Sequence, residues 1–521
     1  MKTGRGLLRG HTNSFIVDAP VQKALEWLRT VPNNGLIRYY MLGNVERVLV
    51  VSPKALGEVL VSKSNDFQKP ELTRISLSRI TGQGVLVSEG ENHRVSKTRV
   101  SFPPPSFSCT FFSVGTFPPI SLCKLGKPGS KLTVEMQIQR KGLTPAFSYR
   151  HVKNLYPLFW YKGIEMVQEI EDDLRKLPES EQVVRIGNYA SRTTLDIIGA
   201  AGMGRDFGSI KDPNNKLSQT YRSILKPLTL PSKILIMFGV FVIGMKALMK
   251  LPTPRQRRIR RAAEFIRVLA RRLIREKKSM LENKETNIGV DILSVALTSG
   301  VFLTEESLVD QIMTFLAAGH DTTSAALQWS IYALCKYPDI QDRLREEVRA
   351  NLPPISGDDA QPILASSIDN LTYLNAFCNE ILRFFPPVPA TLREAICDTT
   401  IQDVPIPKGT KLVICPEATN RDPDLWGPDA GEFNPDRWIG PGRANSGGAD
   451  SNYAFLTFIH GPRSCIGQTF SKSELACLVA TMVGRFQFEL KDPNAVLEYN
   501  RGVTARPKDG VQARTKILDG W

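Results

Sequence analysis

From Phe458 the chain reads Phe-Ile-His-Gly-Pro-Arg-Ser-Cys-Ile-Gly, which sets Cys465 two residues after Arg463 and between Gly461 and Gly467. The glycines let the backbone turn sharply and come close to a flat ligand. Arg463 offers a fork of donors to a carboxylate such as a propionate. Cys465 stands just ahead of a helix-forming run, where amide donors and the helix N-terminus favour a thiolate and lower its pKa. Such a sulfur can ligate heme iron and push electron density toward O–O cleavage. Cys465 alone would read as a buried structural cysteine; the surrounding pattern reverses that.

FxxGxRxCxG resembles the heme-binding signature of the cytochromes P-450, and two other motifs follow that family's order. Glu380-Ile-Leu-Arg383 matches the ExxR of its K helix, whose ends share one helical face. Phe433-Asn-Pro-Asp-Arg437-Trp matches a later PERF-like segment. By resemblance, Glu380, Arg383 and Arg437 form a buried structural triad near the heme.

Ala318-Gly319-His320-Asp321-Thr322-Thr323 lies in a long apolar run and resembles the distal I helix of the family. An Asp-Thr-Thr run is a poor choice for the interior of an apolar helix. Asp321 and Thr322 are therefore expected to relay protons to a distal oxygen, while Gly319 leaves room for dioxygen and loosens the local hydrogen-bond ladder. The resemblance further implies heme b on Cys465, propionate contacts from Arg463, Arg393, Arg140 and His93, and an apolar pocket of Phe315, Ala318, Val388, Ala390 and Val503.

The implied fold is mainly α with a minor β-sheet: a long I helix over the heme, K and L helices, and a small β region, in one domain over residues 1–521. The implied reaction inserts one oxygen atom from O2 into a hydrophobic organic molecule by hydroxylation, epoxidation or desaturation. No flavin or nicotinamide motif is present, so electrons must come from a partner, an NADPH-dependent cytochrome P-450 reductase docking on a basic proximal face. Motif style suggests a fungal class II member of specialised metabolism. A heme-thiolate isomerase or dehydratase is the rival, and it predicts loss of the acid-alcohol pair that Asp321 and Thr322 retain.

Periodicity places amphipathic helices at Val21–Leu28, Pro53–Val61, Val152–Leu174, Arg255–Glu282, Glu305–Lys336, Asp339–Asn351 and Asn370–Phe384, with a last helix after Cys465. A β-branched run at Arg47–Val51 and Pro/Gly-rich turns over Ile401–Lys411 supply short strands. Residues 95–137 lack periodicity and split what reads as one helix. Val95-Ser96 can be encoded GTAAGT, a splice donor, Leu132-Thr133 as CTGAC, a branch site, and Gln137 as CAG, an acceptor. The segment reads as a retained intron or a disordered insertion within the C helix; without it His93 would lie four positions before Arg140, as in the family's WxxxR. With it, Arg140 could be drawn off the heme and the product inactivated.

The formal charge of +15 is concentrated in arginines from Arg255 to Arg275, without the interleaved aromatics of a base-stacking surface. That excludes nucleic acid and favours a membrane surface. Eight cysteines without a CxxC pair exclude a zinc site or disulfide framework. The run Ile234–Met245 is too short to span a bilayer; its pattern leaves an interfacial dip and a buried core helix both open, and the resemblance, which sets it at the family's membrane-touching F–G loop, implies the dip. Microsomal relatives begin with an anchor helix, whereas Lys2, Arg5 and Arg9 interrupt the first turns here. The expectation is the cytosolic face of the endoplasmic reticulum if an anchor precedes this start, and a peripheral or cytoplasmic protein otherwise.

Overall fold

The computed structural model describes residues 20–41, 45–89, 139–224, 251, 253–283, 291–302, 304–355, 362–495, 498–501, 503–508 and 510–521. The expectations for His93, for residues 95–137 and for Ile234–Met245 lie outside them. Ten helices carry the architecture: α1 (Pro20–Thr30), α2 (Glu71–Thr81), α3 (Tyr156–Arg175), α4 (Ile186–Met203), α5 (Lys216–Ile224), α6 (Pro254–Glu282), α7 (Glu305–Lys336), α8 (Pro338–Asn351), α9 (Thr372–Phe384) and α10 (Gln468–Arg485). Twelve short strands run from β1 (Leu36–Tyr40), β2 (Glu46–Val50), β3 (Phe67–Gln68) and β4 (Val183–Arg185) through β5 (Thr391–Ala395), β6 (Thr399–Ile401), β7 (Val404–Ile406) and β8 (Lys411–Ile414) to β9 (Phe486–Leu490), β10 (Tyr499–Arg501), β11 (Ala505–Pro507) and β12 (Gln512–Ile517).

α7 is the organising element. Thr304 caps it by accepting from the Ser307 amide at 3.2 Å, and Glu305 and Glu306 place negative charge on its positive end. Its 32 residues reach about 48 Å. It is buried on several sides, as an apolar helix with scattered hydroxyls must be: Leu308, Ile312 and Leu316 join the main core with Leu195 and Ile197 of α4, Ile266 of α6 and Leu475 and Val479 of α10. Each such side chain contributes ~1.5–3 kcal/mol by leaving water.

A five-stranded sheet in the order β1-β2-β8-β5-β3 lies beside this helical body. Its register sets Val48 against Leu412 and Val50 against Ile414 in the parallel β2–β8 pair. α1 covers one face, with Trp27 5.0 Å from Tyr39. A second sheet, β4-β12-β9, and the hairpins β6-β7 and β10-β11 complete the β structure among the described residues.

Glu380 and Arg383 are both fully buried on α9, and the guanidinium meets the carboxylate through two bonds of 2.7 Å. Arg383 also donates to the carbonyls of Asn420, Ala430 and Glu432, while Glu380 accepts from the Asn434 amide and from Trp438 Nε1. The three residues of the expected triad are all buried, with both arginines within ion-pair range of Glu380. Arg437 Nε stands 3.9 Å from Glu380, and its hydrogen bonds go to Asp429 and to the Trp426 carbonyl, so it acts on Glu380 through charge alone. Trp438 takes the third place in hydrogen-bond terms. Replacing Arg383 with Ala strands the Glu380 carboxylate and is expected to cost about 3–5 kcal/mol. Urea denaturation checks this, and a variant with the wild-type midpoint would show that the pair does not hold the fold.

Candidate active site

The network around Arg383 continues toward Cys465. Asn420 Nδ2 donates to the Arg383 carbonyl and to Thr457 Oγ1, its Oδ1 accepts from the Leu456 amide, and Thr457 Oγ1 donates to the Leu382 carbonyl. One residue later the loop turns at Phe458, whose carbonyl accepts the Cys465 amide at 2.8 Å. Ile459 holds φ of 57°, a strained value for a β-branched residue. Gly461 has φ of 79°, and a Cβ there would lie 2.1 Å from the Leu60 carbonyl oxygen. Glycine is needed at that position for contact with the protein's own backbone. α10 begins three residues after Cys465, with Gly467 as its N-cap.

Cys465 is exposed at its surface although protein atoms crowd around it. Burial pushes its thiol upward; the Gly467 amide and the Arg140 charge oppose this without overcoming it. The expectation of a lowered pKa is therefore not met, because the helix terminus and one half-buried arginine are weaker than desolvation. A metal would supply the missing charge, since a cysteine ligand binds deprotonated. Arg140 donates to the Ser464 carbonyl at 2.6 Å and to Ser464 Oγ at 3.1 Å. Residues 139–143 are helical, which sets this arginine on the rim beside Cys465.

Arg463 and Arg393 belong to a buried charge cluster that spacing along the chain did not reveal. Glu89 Oε1 lies 3.1 Å from Arg463 Nε and 3.4 Å from Lys69 Nζ, and its other oxygen accepts the Lys69 amide. Burial lowers the Arg393 guanidinium to about 10, against the pull of Glu89. Burial likewise lowers Lys69 to about 8. Three cations face one carboxylate, and this leaves two buried positive charges without a partner anion in the cluster.

On α7, Asp321 is buried and accepts from Thr504 Oγ1 at 2.5 Å and from Arg506 Nη1 at 3.0 Å. Thr322 Oγ1 donates back to the Ala318 carbonyl at 2.8 Å. The acid is thus held toward the β10-β11 hairpin, and the alcohol is bonded to its own helix. Gly319 also has a packing role between helices. A Cβ there would stand 2.8 Å from Ile198 Cγ1, so the glycine permits the close approach of α4 to α7, and the helix runs unbroken through it. Phe315 lies in the main core, 5.5 Å from Phe147. Ala318 and Val388 are half-buried, Ala390 packs with Ile37 and Tyr39 of the sheet, and Val503 is 59% exposed.

The family model for cytochrome P450 matches residues 134–512. The chain belongs to the cytochrome P450 family. It is 51% identical over 519 residues to the cytochrome P450 monooxygenase sphH of Aspergillus fumigatus, covering 99% of this chain and 87% of that protein. The cytochrome P450 monooxygenases FUM15 of Gibberella moniliformis and ALT8 of Alternaria alternata are each 38% identical, over 95% of this chain and 83% and 85% of theirs. This P450 is accordingly a heme-thiolate monooxygenase that uses O2 on a small organic molecule.

Heme fits the residues present. Its two propionates match the two unbalanced charges around Glu89, its iron suits the exposed cysteine, and its apolar faces suit the surrounding core. A propionate beside Lys69 would raise that amine, so heme loading takes up a proton above about pH 8, where the free amine is neutral. The wild-type advantage in heme affinity over Lys69→Met should therefore be full below about pH 8 and shrink by up to tenfold per pH unit above it. Titration of heme into both apoproteins, followed by Soret absorbance, reads this ratio; a ratio constant from neutral pH to above pH 9 would place Lys69 outside the propionate site.

Proposed function

We propose that Cys465 is the thiolate ligand, that Arg463, Arg393 and Arg140, with His93 beyond the described residues, meet the propionates, and that Asp321 and Thr322 carry protons to the reacting oxygen. The observation that supports this most is the convergence of an exposed cysteine with three buried cations around a single carboxylate. When bound, the heme supplies the oxygen activation itself. The chain supplies the rest. Cys465 holds the ligand position on a loop stiffened by Asn420 and Thr457, and Arg140 steadies that loop through Ser464. Asp321, paired with the partly exposed Arg506, stands between the surface and Thr322.

The substrate class is an apolar molecule, held by Phe315, Ala318, Val388 and Ala390; Val503, at the exposed end, borders the entrance. Electrons come from an NADPH-cytochrome P-450 reductase at the basic proximal side. The site of action is the cytosolic face of the endoplasmic reticulum, reached through a membrane surface; no described helix is long and apolar enough to cross a membrane. Residues 95–137 interrupt a single P450 domain as a retained intron or insertion, a reading supported by their lack of periodicity and by the codons that their borders allow.

Carbon monoxide difference spectra test the ligand and the insertion together. Cys465→Ala should lose the thiolate-type Soret band, and the chain lacking residues 95–137 should carry more heme than the full chain. Equal spectra from full and shortened chains would strip the insertion of functional consequence, and a band retained by Cys465→Ala would move the ligand elsewhere. Asp321→Asn should keep the spectrum and slow reductase-driven product formation roughly 100-fold, as expected when an acid-base group is lost, whereas a loss under about threefold would remove Asp321 from the relay.

A further inference from the structure

Among the described residues, Lys472 is a half-buried cation with no carboxylate partner. It is the fifth residue of α10, whose first turn carries no acid, and the positions three and four away on the same helical face, Gln468, Thr469, Leu475 and Ala476, are all uncharged. Its Nζ stands 5.5 Å from the Phe455 ring centroid and 5.9 Å from that of Phe458, and the two rings lie 6.2 Å apart at 66°. The ammonium therefore sits in the angle between two aromatic rings. Of the titratable groups on the elements packed around it, Cys378 of α9 acts on it, and that thiol is pushed by burial up to about 12 and so is neutral at ordinary pH.

Such surroundings disfavour a charge. Cation–π attraction offsets part of the lost hydration, while the start of a helix favours anions over cations. Burial accordingly holds the Lys472 amine down at about 8. A lysine stem could carry its head group out to water; here Nζ stays beside the rings instead.

Phe458 gives the position of this charge its meaning, because it belongs to the Cys465 loop. Its carbonyl accepts the Cys465 amide at 2.8 Å, so the ring beside the ammonium and the bond that fixes the cysteine backbone come from one residue. A positive charge near an electron-accepting centre stabilises the form that carries the extra electron, and more so where the local dielectric is low. Screening by salt is weak for a charge held in this way.

We propose that the charge of Lys472, held beside Phe458, raises the reduction potential of the heme bound at Cys465 and so favours entry of the first electron. The step is a one-electron reduction of ferric to ferrous iron by an external donor, in which the site gains one negative charge and no bond forms or breaks. The proposal rests on the assignment of Cys465 as ligand. It is independent of how a reductase docks, because the charge acts with no partner present.

Dye-mediated spectroelectrochemical titration of the heme-loaded full chain, without reductase, tests this. At neutral pH, Lys472→Met should disfavour the ferrous form roughly tenfold, a fall in midpoint of about 59 mV for one electron, and Lys472→Arg should restore it. The wild-type amine is charged below about pH 8 and loses its charge above it. The gap between wild type and Lys472→Met should therefore be full below about pH 8 and close as the pH rises further, whereas Lys472→Arg, whose guanidinium stays charged, should keep its gap over Lys472→Met to about pH 10. Lys69, which burial also lowers to about 8, is common to all three proteins and cancels in these differences. Equal midpoints for wild type and Lys472→Met would overturn the proposal, as would a gap that Lys472→Arg fails to restore or one that does not change with pH. Slower reductase-driven reduction with equal midpoints would make Lys472 a docking residue and overturn the electrostatic role. The carbon monoxide difference spectra of Cys465→Ala and wild type separate the two readings: a thiolate-type band retained by Cys465→Ala would sink the ligand assignment and the proposal with it, while loss of that band together with equal midpoints would sink the role of Lys472 alone.

Discussion

The buried Glu380–Arg383 pair is the constraint on which the site depends. A charge pair without solvent access is tolerable only when the remaining donors and acceptors are satisfied, and here the satisfying groups are backbone atoms of segments remote in sequence. Arg383 reaches the carbonyls of Asn420, Ala430 and Glu432, and Glu380 takes the Asn434 amide and the Trp438 indole. The chain from 420 to 438, which has little regular structure, is thereby given one conformation. Asn420 passes that order to Leu456 and Thr457, immediately before the Cys465 loop. Electrostatic satisfaction at α9 and the position of a sulfur on another segment are two ends of one hydrogen-bond network.

The opposite electrostatic condition holds around Glu89. There the fold concentrates Lys69, Arg393 and Arg463 in a poorly hydrated space and provides one carboxylate for them. Burial holds Lys69 and Arg393 below their usual ranges, and the neighbouring cations add to this against the pull of Glu89. A cofactor that brings two negative charges turns that cost into binding energy, so the same residues disfavour the empty site and favour the loaded one. Cys465 follows this logic with the sign reversed, because its thiol is pushed upward until a metal takes the proton's place.

Much of this was legible in the sequence, for identifiable reasons. α7 was expected at Glu305–Lys336 and occupies those residues, since a Thr cap, two acids in the first turn and a long apolar period all agree. The heme-loop and α9 motifs were legible because their residue types and spacing match the family's, although their contacts reach segments far along the chain. What stayed hidden depends on partners far along the chain. Glu89 and Lys69 carry no spacing that links them to Arg393 or Arg463. Gly319 read as room for a ligand because its motif lies on the expected distal face, while the atom that requires it is Ile198 Cγ1 on α4. Arg437 is ion-paired with Glu380 as the motif implied, but that Asp429, eight residues earlier, takes its hydrogen bonds was not legible.

In the proposed relay, the partners of Asp321 add a condition to proton delivery. With Thr504 and Arg506 both on its oxygens, the carboxylate is oriented and turned toward the β10-β11 hairpin. Thr322 is meanwhile tied to the Ala318 carbonyl. Neither group can hand a proton to the other while these bonds last. Transfer therefore requires the carboxylate to leave Arg506, whose side chain is 24% exposed and can be rehydrated as it is released. The hairpin contributes as much to the relay as α7 does: it sets how tightly the acid is held. Motions of β10-β11 and the rate of protonation should be coupled through this single ion pair, a dependence that the AGHDTT motif alone does not contain.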